Sequence, residues 1–181
     1  EFQILSPEQY DMGKVKKRHG GILEITDKEY DRLCDYFDRE NPVVQGLFAD
    51  PDLYYENGTY YIYPTTDGYE GWSGHEFSVF SSQDTKNFRK VTAILDVATE
   101  QVPWATGSAW APCMAKKGEN YYYYFCAKNE QGTSCIGAAV GNSPTGPLHA
   151  MPEPMVTMDM MREYNIKMGQ TIDPSVYMEG D

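Results

Sequence analysis

Three proline-centred landmarks recur along the chain at nearly constant spacing, and they limit what it can fold into more than any other feature. Asp50-Pro51 is followed, seven residues after the proline, by Gly58 and then Tyr60-Tyr61-Ile62-Tyr63. Ala111-Pro112 is followed after six by Gly118 and then Tyr121 to Tyr124, and Asp173-Pro174 after six by Gly180. The prolines lie 61 and 62 residues apart. Each unit reads as strand, tight turn, aromatic strand, because Tyr and β-branched residues fit a half-buried pleated surface and Gly or Asn-Gly permits the turn. The first two units continue into a further strand pair, carried by Phe77 to Ser82 in one and Ser134 to Val140 in the other. Four antiparallel strands, repeated, form the pattern of propeller blades, with longer connections than the common repeats of about 40–50 residues. Closure takes at least about four blades. Residues 41–181 hold two and the opening of a third, so the rest of the propeller is expected in cis or from a second chain. An unpaired hairpin arm would otherwise leave a row of open backbone groups.

A change of texture near Asn41-Pro42 sets a boundary. Residues 1–40 hold 17 charged residues, and residues 41–181 hold 25. The first segment reads as helical: Ser6-Pro7-Glu8-Gln9 and Thr26-Asp27-Lys28-Glu29 are capping-box patterns. Tyr30, Leu33, Cys34 and Phe37 then fall on one helical stripe. The basic cluster Lys14, Lys16, Lys17 and Arg18 is read as a solvated helix end. This segment is a lead-in without chemistry of its own.

The remaining composition excludes several functions. With 27 acidic against 15 basic residues, the net charge is -12, the wrong sign for phosphate contacts or anionic membranes. Neither nucleic acid nor a membrane is expected as a partner. No run approaches the roughly 20 apolar residues of a membrane-spanning helix, and the first residues do not read as a signal peptide, which leaves the compartment open. Cys34, Cys113, Cys126 and Cys135 lack metal-ligand spacing and read as free, partly buried thiols. His19, His75 and His149 show no i, i+4 pair, so no histidine metal centre is expected.

In a propeller the start of each repeat opens onto one face around the axis. Asp50 and Asp173 hold the same repeat position, so their carboxylates should converge there. Two acidic groups beside aromatic walls suit glycoside chemistry, with one carboxylate activating water and another group protonating the leaving oxygen. Taken singly, Asp-Pro is no more than a turn dipeptide; recurrence is what favours a site. Asp67, Tyr69 and Trp72 lie in a loop expected on the same face, as pocket wall or as plain loop. Trp110, at the start of the second blade's inner strand, reads as a sugar platform or as a core tryptophan between blades. Tyr121 to Tyr124 read as sheet packing and His75 as a rim residue. Met151, Met155, Met158, Met160, Met161 and Met168 read as loop packing in the connection before the third unit.

Six ordered stretches over residues 41–181 resemble the N-terminal half of a family 43 glycoside hydrolase. They are Asn41-Pro42-Val43 with Ala49-Asp50-Pro51-Asp52, Gly58-Thr59-Tyr60-Tyr61, and Phe80-Ser81-Ser82-Gln83-Asp84 with Asn87-Phe88. Trp110-Ala111-Pro112, Gly141-Asn142-Ser143-Pro144-Thr145-Gly146-Pro147 and Ile172-Asp173-Pro174-Ser175-Val176 complete the series. The resemblance implies an all-β, five-bladed propeller of which this chain covers about two and a half blades. It also implies an inverting enzyme that releases terminal arabinofuranose or xylose from arabinoxylan-type glycans. On that pattern Asp50 is the general base and Asp173 raises the pKa of the acid and orients it. Trp110 matches an active-site tryptophan. The acid is a glutamate of the next blade; Glu70, Glu76, Glu100, Glu130, Glu153 and Glu163 lack its context. Cys113 departs from an aspartate common at its position and is read as structural. No cofactor is called for, and a channel calcium stays open because ligands for it would come from later blades. The alternative is a non-catalytic carbohydrate-binding propeller, or a half-propeller assembly partner. A glycan phosphorylase sharing these carboxylates is a closer rival.

Overall fold

A computed structural model describes residues 26–29, 32, 42–167 and 169–179. The chain divides into two compact units, Glu1–Arg39 and Glu40–Asp181. In the first, residues 27–29 and 32 are helical. Thr26 and Glu29 form a reciprocal cap: the Thr26 N–H donates to Glu29 Oε2 at 2.9 Å, and the Glu29 N–H donates to Thr26 Oγ1 at 3.3 Å. The bond from the Thr26 backbone holds the Glu29 carboxyl below its usual value. The stripe at Tyr30, Leu33, Cys34 and Phe37, the cap at Ser6, the basic cluster and the turn at Gly180 lie outside the described residues.

The second unit is built from β1 (Phe48–Glu56), β2 (Thr59–Thr66), β3 (Glu76–Ser82), β4 (Arg89–Asp96), β5 (Ala105–Lys117), β6 (Asn120–Asn129), β7 (Ser134–Gly141) and β8 (His149–Ala150). They form two four-stranded sheets in the orders β1-β2-β3-β4 and β5-β6-β7-β8, with every pairing antiparallel. Each aromatic run expected as a strand is one. Asn57 and Gly58, at φ 49° and 78°, make the tight turn joining β1 to β2, since both central positions of such a turn need positive φ. β4 carries almost no apolar signal over Arg89-Lys90-Val91-Thr92, and its ladder to β3 is what makes it a strand. Residues 169–179, which open the third unit, belong to neither sheet.

The sheets bury their aromatic faces against each other. Tyr63, Phe77, Val79 and Leu95 meet Tyr123, Phe125, Ala127 and Ala139 in one core. Phe77 stands edge-on to Tyr123 at 5.5 Å and to Phe125 at 5.6 Å, a geometry that adds to simple burial. Packing is tight enough to require glycine at position 137. A Cβ there would lie 2.5 Å from the Phe125 ring and 2.6 Å from Trp104. Tyr121 and Tyr123 are buried and their neighbours half-buried, as sheet packing demands.

The connection after β8 differs from a plain loop. The N–H of Met155 and the carbonyl of Val156 pair with Ile136 beside β7. A short helix, α1 (Met158–Glu163), follows, with the Met160 N–H on the Thr157 hydroxyl at 3.2 Å. Met151, Met155 and Met160 are 47%, 42% and 42% exposed and pack little, Met158 and Met161 are half-buried, and Met168 lies outside the described residues. Thr157 was a readable N-cap signal.

Candidate active site

The repeat seen in the sequence returns as a backbone conformation. Asp50, Ala111 and Asp173, the residues before the three prolines, hold φ of 45°, 36° and 58°. A residue before proline is ordinarily extended, and a side chain at positive φ is strained. At the first two positions the ladder slips, between Ala49 and Asp52 and between Trp110 and Cys113. Pro51 and Pro112 have no N–H to give a ladder, which suits a bulge. Such bulges bend a strand and re-aim its side chains.

Neighbouring units are joined at these bulges by a pair of hydrogen bonds that recurs. The Ala111 N–H donates to Thr65 Oγ1 at 2.7 Å, and the Asp173 N–H donates to Cys126 Sγ at 3.0 Å. Thr65 and Cys126 each lie 15 residues beyond the pre-proline residue of their own unit. The second bond of each pair starts from the residue after the proline. Asp52 Oδ2 accepts from the Met114 N–H at 2.8 Å, and the Cys113 thiol accepts from the backbone of Val176. One junction therefore uses oxygen acceptors and the next uses sulfur. Sequence reasoning passed over Thr65 and read Cys126 only as a free, partly buried thiol, although their shared offset is legible once the repeat is aligned.

These bonds string the expected site residues along one arc. The Thr65 hydroxyl donates to Asp50 Oδ2 at 3.3 Å, while its oxygen accepts from Ala111. Trp110, next to Ala111, pairs in register with Cys126. Cys126 in turn holds Asp173. Burial pushes the Cys126 thiol up to about 12, and the charges of Asp173 and Asp50 add to the rise. Asp50 and Asp173 are themselves exposed. Asp52 is held above the usual carboxylate range by burial, against the pull of the Met114 and Leu53 N–H groups.

The aromatic residues lie alongside. Trp110 donates its Nε1–H to the Trp72 carbonyl at 2.8 Å, and the Lys128 ammonium sits 5.1 Å from the Trp110 ring centroid. Trp110 is half-buried and so is not a core residue. Trp72, 53% exposed, ends a short 3-10 turn (Glu70–Trp72), and Tyr69, 44% exposed, precedes it. Tyr69 meets the His75 ring edge-on at 6.1 Å, and His75 Nδ1 lies 3.0 Å from Asp96. Asp67 accepts from the Gly68 N–H at 2.9 Å, while its own N–H donates to the Leu47 carbonyl, so it shapes the loop base. Trp72 is thus tied directly to Trp110, Tyr69 adjoins it through the turn, and Asp67 is bonded to Gly68 and Leu47 at the start of the loop. Among the described residues no group of three or more His, Cys, Asp or Glu could hold a metal ion.

Comparison with known proteins bears on the family. The model of the glycosyl hydrolases family 43 matches residues 39–181. The chain is 32% identical over 153 residues to xylosidase/arabinosidase 43A of Humicola insolens, covering 77% of this chain and 43% of that protein. It is 30% identical over 142 residues to a xylosidase/arabinosidase of Bacteroides ovatus, covering 74% and 40%. Among solved structures it resembles a family 43 enzyme of Xanthomonas citri in complex with xylose, at TM-score 0.58 and 31% identity over 68% of this chain and 38% of that one. The chain thus spans less than half the length of the relatives it matches. With the family pattern extending over both sheets and the opening of the third unit, the chain belongs to the glycosyl hydrolases of family 43.

Proposed function

We propose that the protein is an inverting glycoside hydrolase that releases terminal arabinofuranose or xylose from arabinoxylan-type glycans, on a five-bladed propeller of which this chain supplies the first blades. Asp50 takes a proton from water as the water oxygen attacks the anomeric carbon. A carboxylic acid from the following blade gives its proton to the leaving oxygen, and Asp173 raises and orients that acid. Inversion needs base and acid roughly 6.5–9.5 Å apart, room for the water on the far side of the sugar. Trp110, fixed by its bond to the Trp72 carbonyl, offers an aromatic face to the C–H face of the pentose, with Trp72 and Tyr69 as further wall.

The observation that carries this reading is the arc itself. Two aspartates far apart in sequence are tied to side chains at equivalent positions: the Asp50 carboxylate accepts from the Thr65 hydroxyl, the Asp173 N–H donates to Cys126 Sγ, and Trp110 pairs in register with Cys126. The names of the relatives, xylosidase/arabinosidase, support pentose as the sugar. In the full-length protein, Asp50→Asn should lower turnover of aryl arabinofuranosides and xylosides by at least about 1,000-fold, in the range lost when catalytic machinery is removed, with the unfolding midpoint nearly unchanged. Turnover that survives the substitution removes Asp50 as the base.

A further inference from the structure

The two junctions carry the same backbone connection with different chemistry, and the second one ends on Asp173. At the first, Thr65 Oγ1 and Asp52 Oδ2 accept from Ala111 and Met114. At the second, Cys126 Sγ and the Cys113 thiol accept from Asp173 and Val176. Cys126 is fully buried and, like Cys113, is a free thiol. Residues 169–179 lie in neither sheet, so these two bonds bracket Pro174 without help from a strand ladder. They hold Asp173 at φ 58°, away from the extended backbone that a residue before proline ordinarily takes.

We propose that Cys126 is a positioning residue for Asp173: its buried sulfur fixes the backbone N–H of Asp173, and so aims the carboxylate, as the Thr65 oxygen fixes the equivalent point of the second unit. Cys113 is the second pin, two residues beyond Pro174. The groups facing Cys126 are Asp173, Asp50 and Cys135; those acting on Cys113 and its neighbour Tyr123 include Asp52. The thiol works as a neutral acceptor, since burial and these carboxylates keep its proton on. The inference rests on the role given above to Asp173 as the residue that raises the acid's pKa. A carboxylate turned away from the acid supports it less. The acid then loses its proton at lower pH, and the basic limb of the rate profile moves toward acid.

The test uses the full-length protein and the aryl pentoside it turns over, with kcat and KM measured across pH. Cys126→Val removes the acceptor at similar volume. It should lower kcat at neutral pH by about 10- to 100-fold, the scale of a displacement near 1 Å, with KM changed little and the basic limb moved toward acid. Cys126→Thr, which restores the oxygen of the first junction, should keep the limb within a few tenths of a pH unit of the parent. Cys126→Ala removes the acceptor without a branched side chain and should give the same shift as valine, should valine disturb folding. A limb that stays in place in the valine or alanine variant, while Asp173→Asn moves it, overturns the role of Cys126 and leaves that of Asp173 intact. A limb unmoved by Asp173→Asn removes the role of Asp173, and this inference with it.

Discussion

Asp50, Ala111 and Asp173 hold left-handed backbone in spite of their side chains, a cost of about 1–3 kcal/mol each for residues so placed. Aspartate tolerates this region better than most residues because its carboxylate bonds locally. Ala111 has no such help, and its N–H is fixed by Thr65 from 46 residues away. Ala111→Val should therefore lose about 2 kcal/mol or more in urea unfolding, because a β-branched residue at positive φ is a true outlier. Ala111→Gly should be no less stable than the parent. A valine variant of parental stability would show that the conformation is unstrained. The Asp-Pro pairs were legible in the sequence, but their handedness was not. Proline argues for an extended predecessor; at Ala111 and Asp173 the reversed backbone is held by an acceptor on the neighbouring sheet.

Among the elements, strands rich in tyrosine and β-branched residues announced themselves, as did the Asn57-Gly58 turn. β4 did not, since Arg89, Lys90 and Thr92 face solvent and only pairing with β3 defines them. The turn before it is held by one side chain. Asp84 accepts from Asn87 Nδ2 at 2.7 Å, from the Asn87 N–H at 2.8 Å, from the Ser82 hydroxyl at 2.7 Å and from the Lys86 N–H at 3.0 Å. These bonds, those from Asn87 first, hold its carboxyl far below the usual carboxylate range. A depressed folded-state pKa contributes stability that is present above the unfolded value, about 3.9, and lost as pH falls through the folded one. Asp84→Ala should lower the thermal midpoint at neutral pH. The gap to the parent should start to close below about pH 4 and vanish in stronger acid. A gap constant across that window would mean the turn does not depend on the ionised carboxylate. The Ser81-Ser82 and Asp84 stretch was read from family likeness, and this hydrogen-bond set is its physical content.

At the scale of the molecule, the repeat period set out the architecture before any coordinate, and the two sheets followed it. The period did not foretell that the units are stitched at their bulges, because the acceptors are unlike in kind: a hydroxyl and a carboxylate at one junction, two thiols at the other. Farther out along the same strands a salt bridge serves as brace, with Lys116 on Glu56 Oε1 at 2.6 Å and the Tyr121 hydroxyl on the same carboxylate. The bulges hold the residues proposed as the site, and this salt bridge links the two sheets farther along. A crystal structure of the full-length Asp50→Asn protein soaked with a xylo- or arabino-oligosaccharide tests the account most directly. It should show a pentose ring stacked on Trp110, with the side chains of residue 50 and Asp173 both directed at the end of the sugar that is cleaved. A sugar bound elsewhere, or Asp173 turned away from it, would contradict the account.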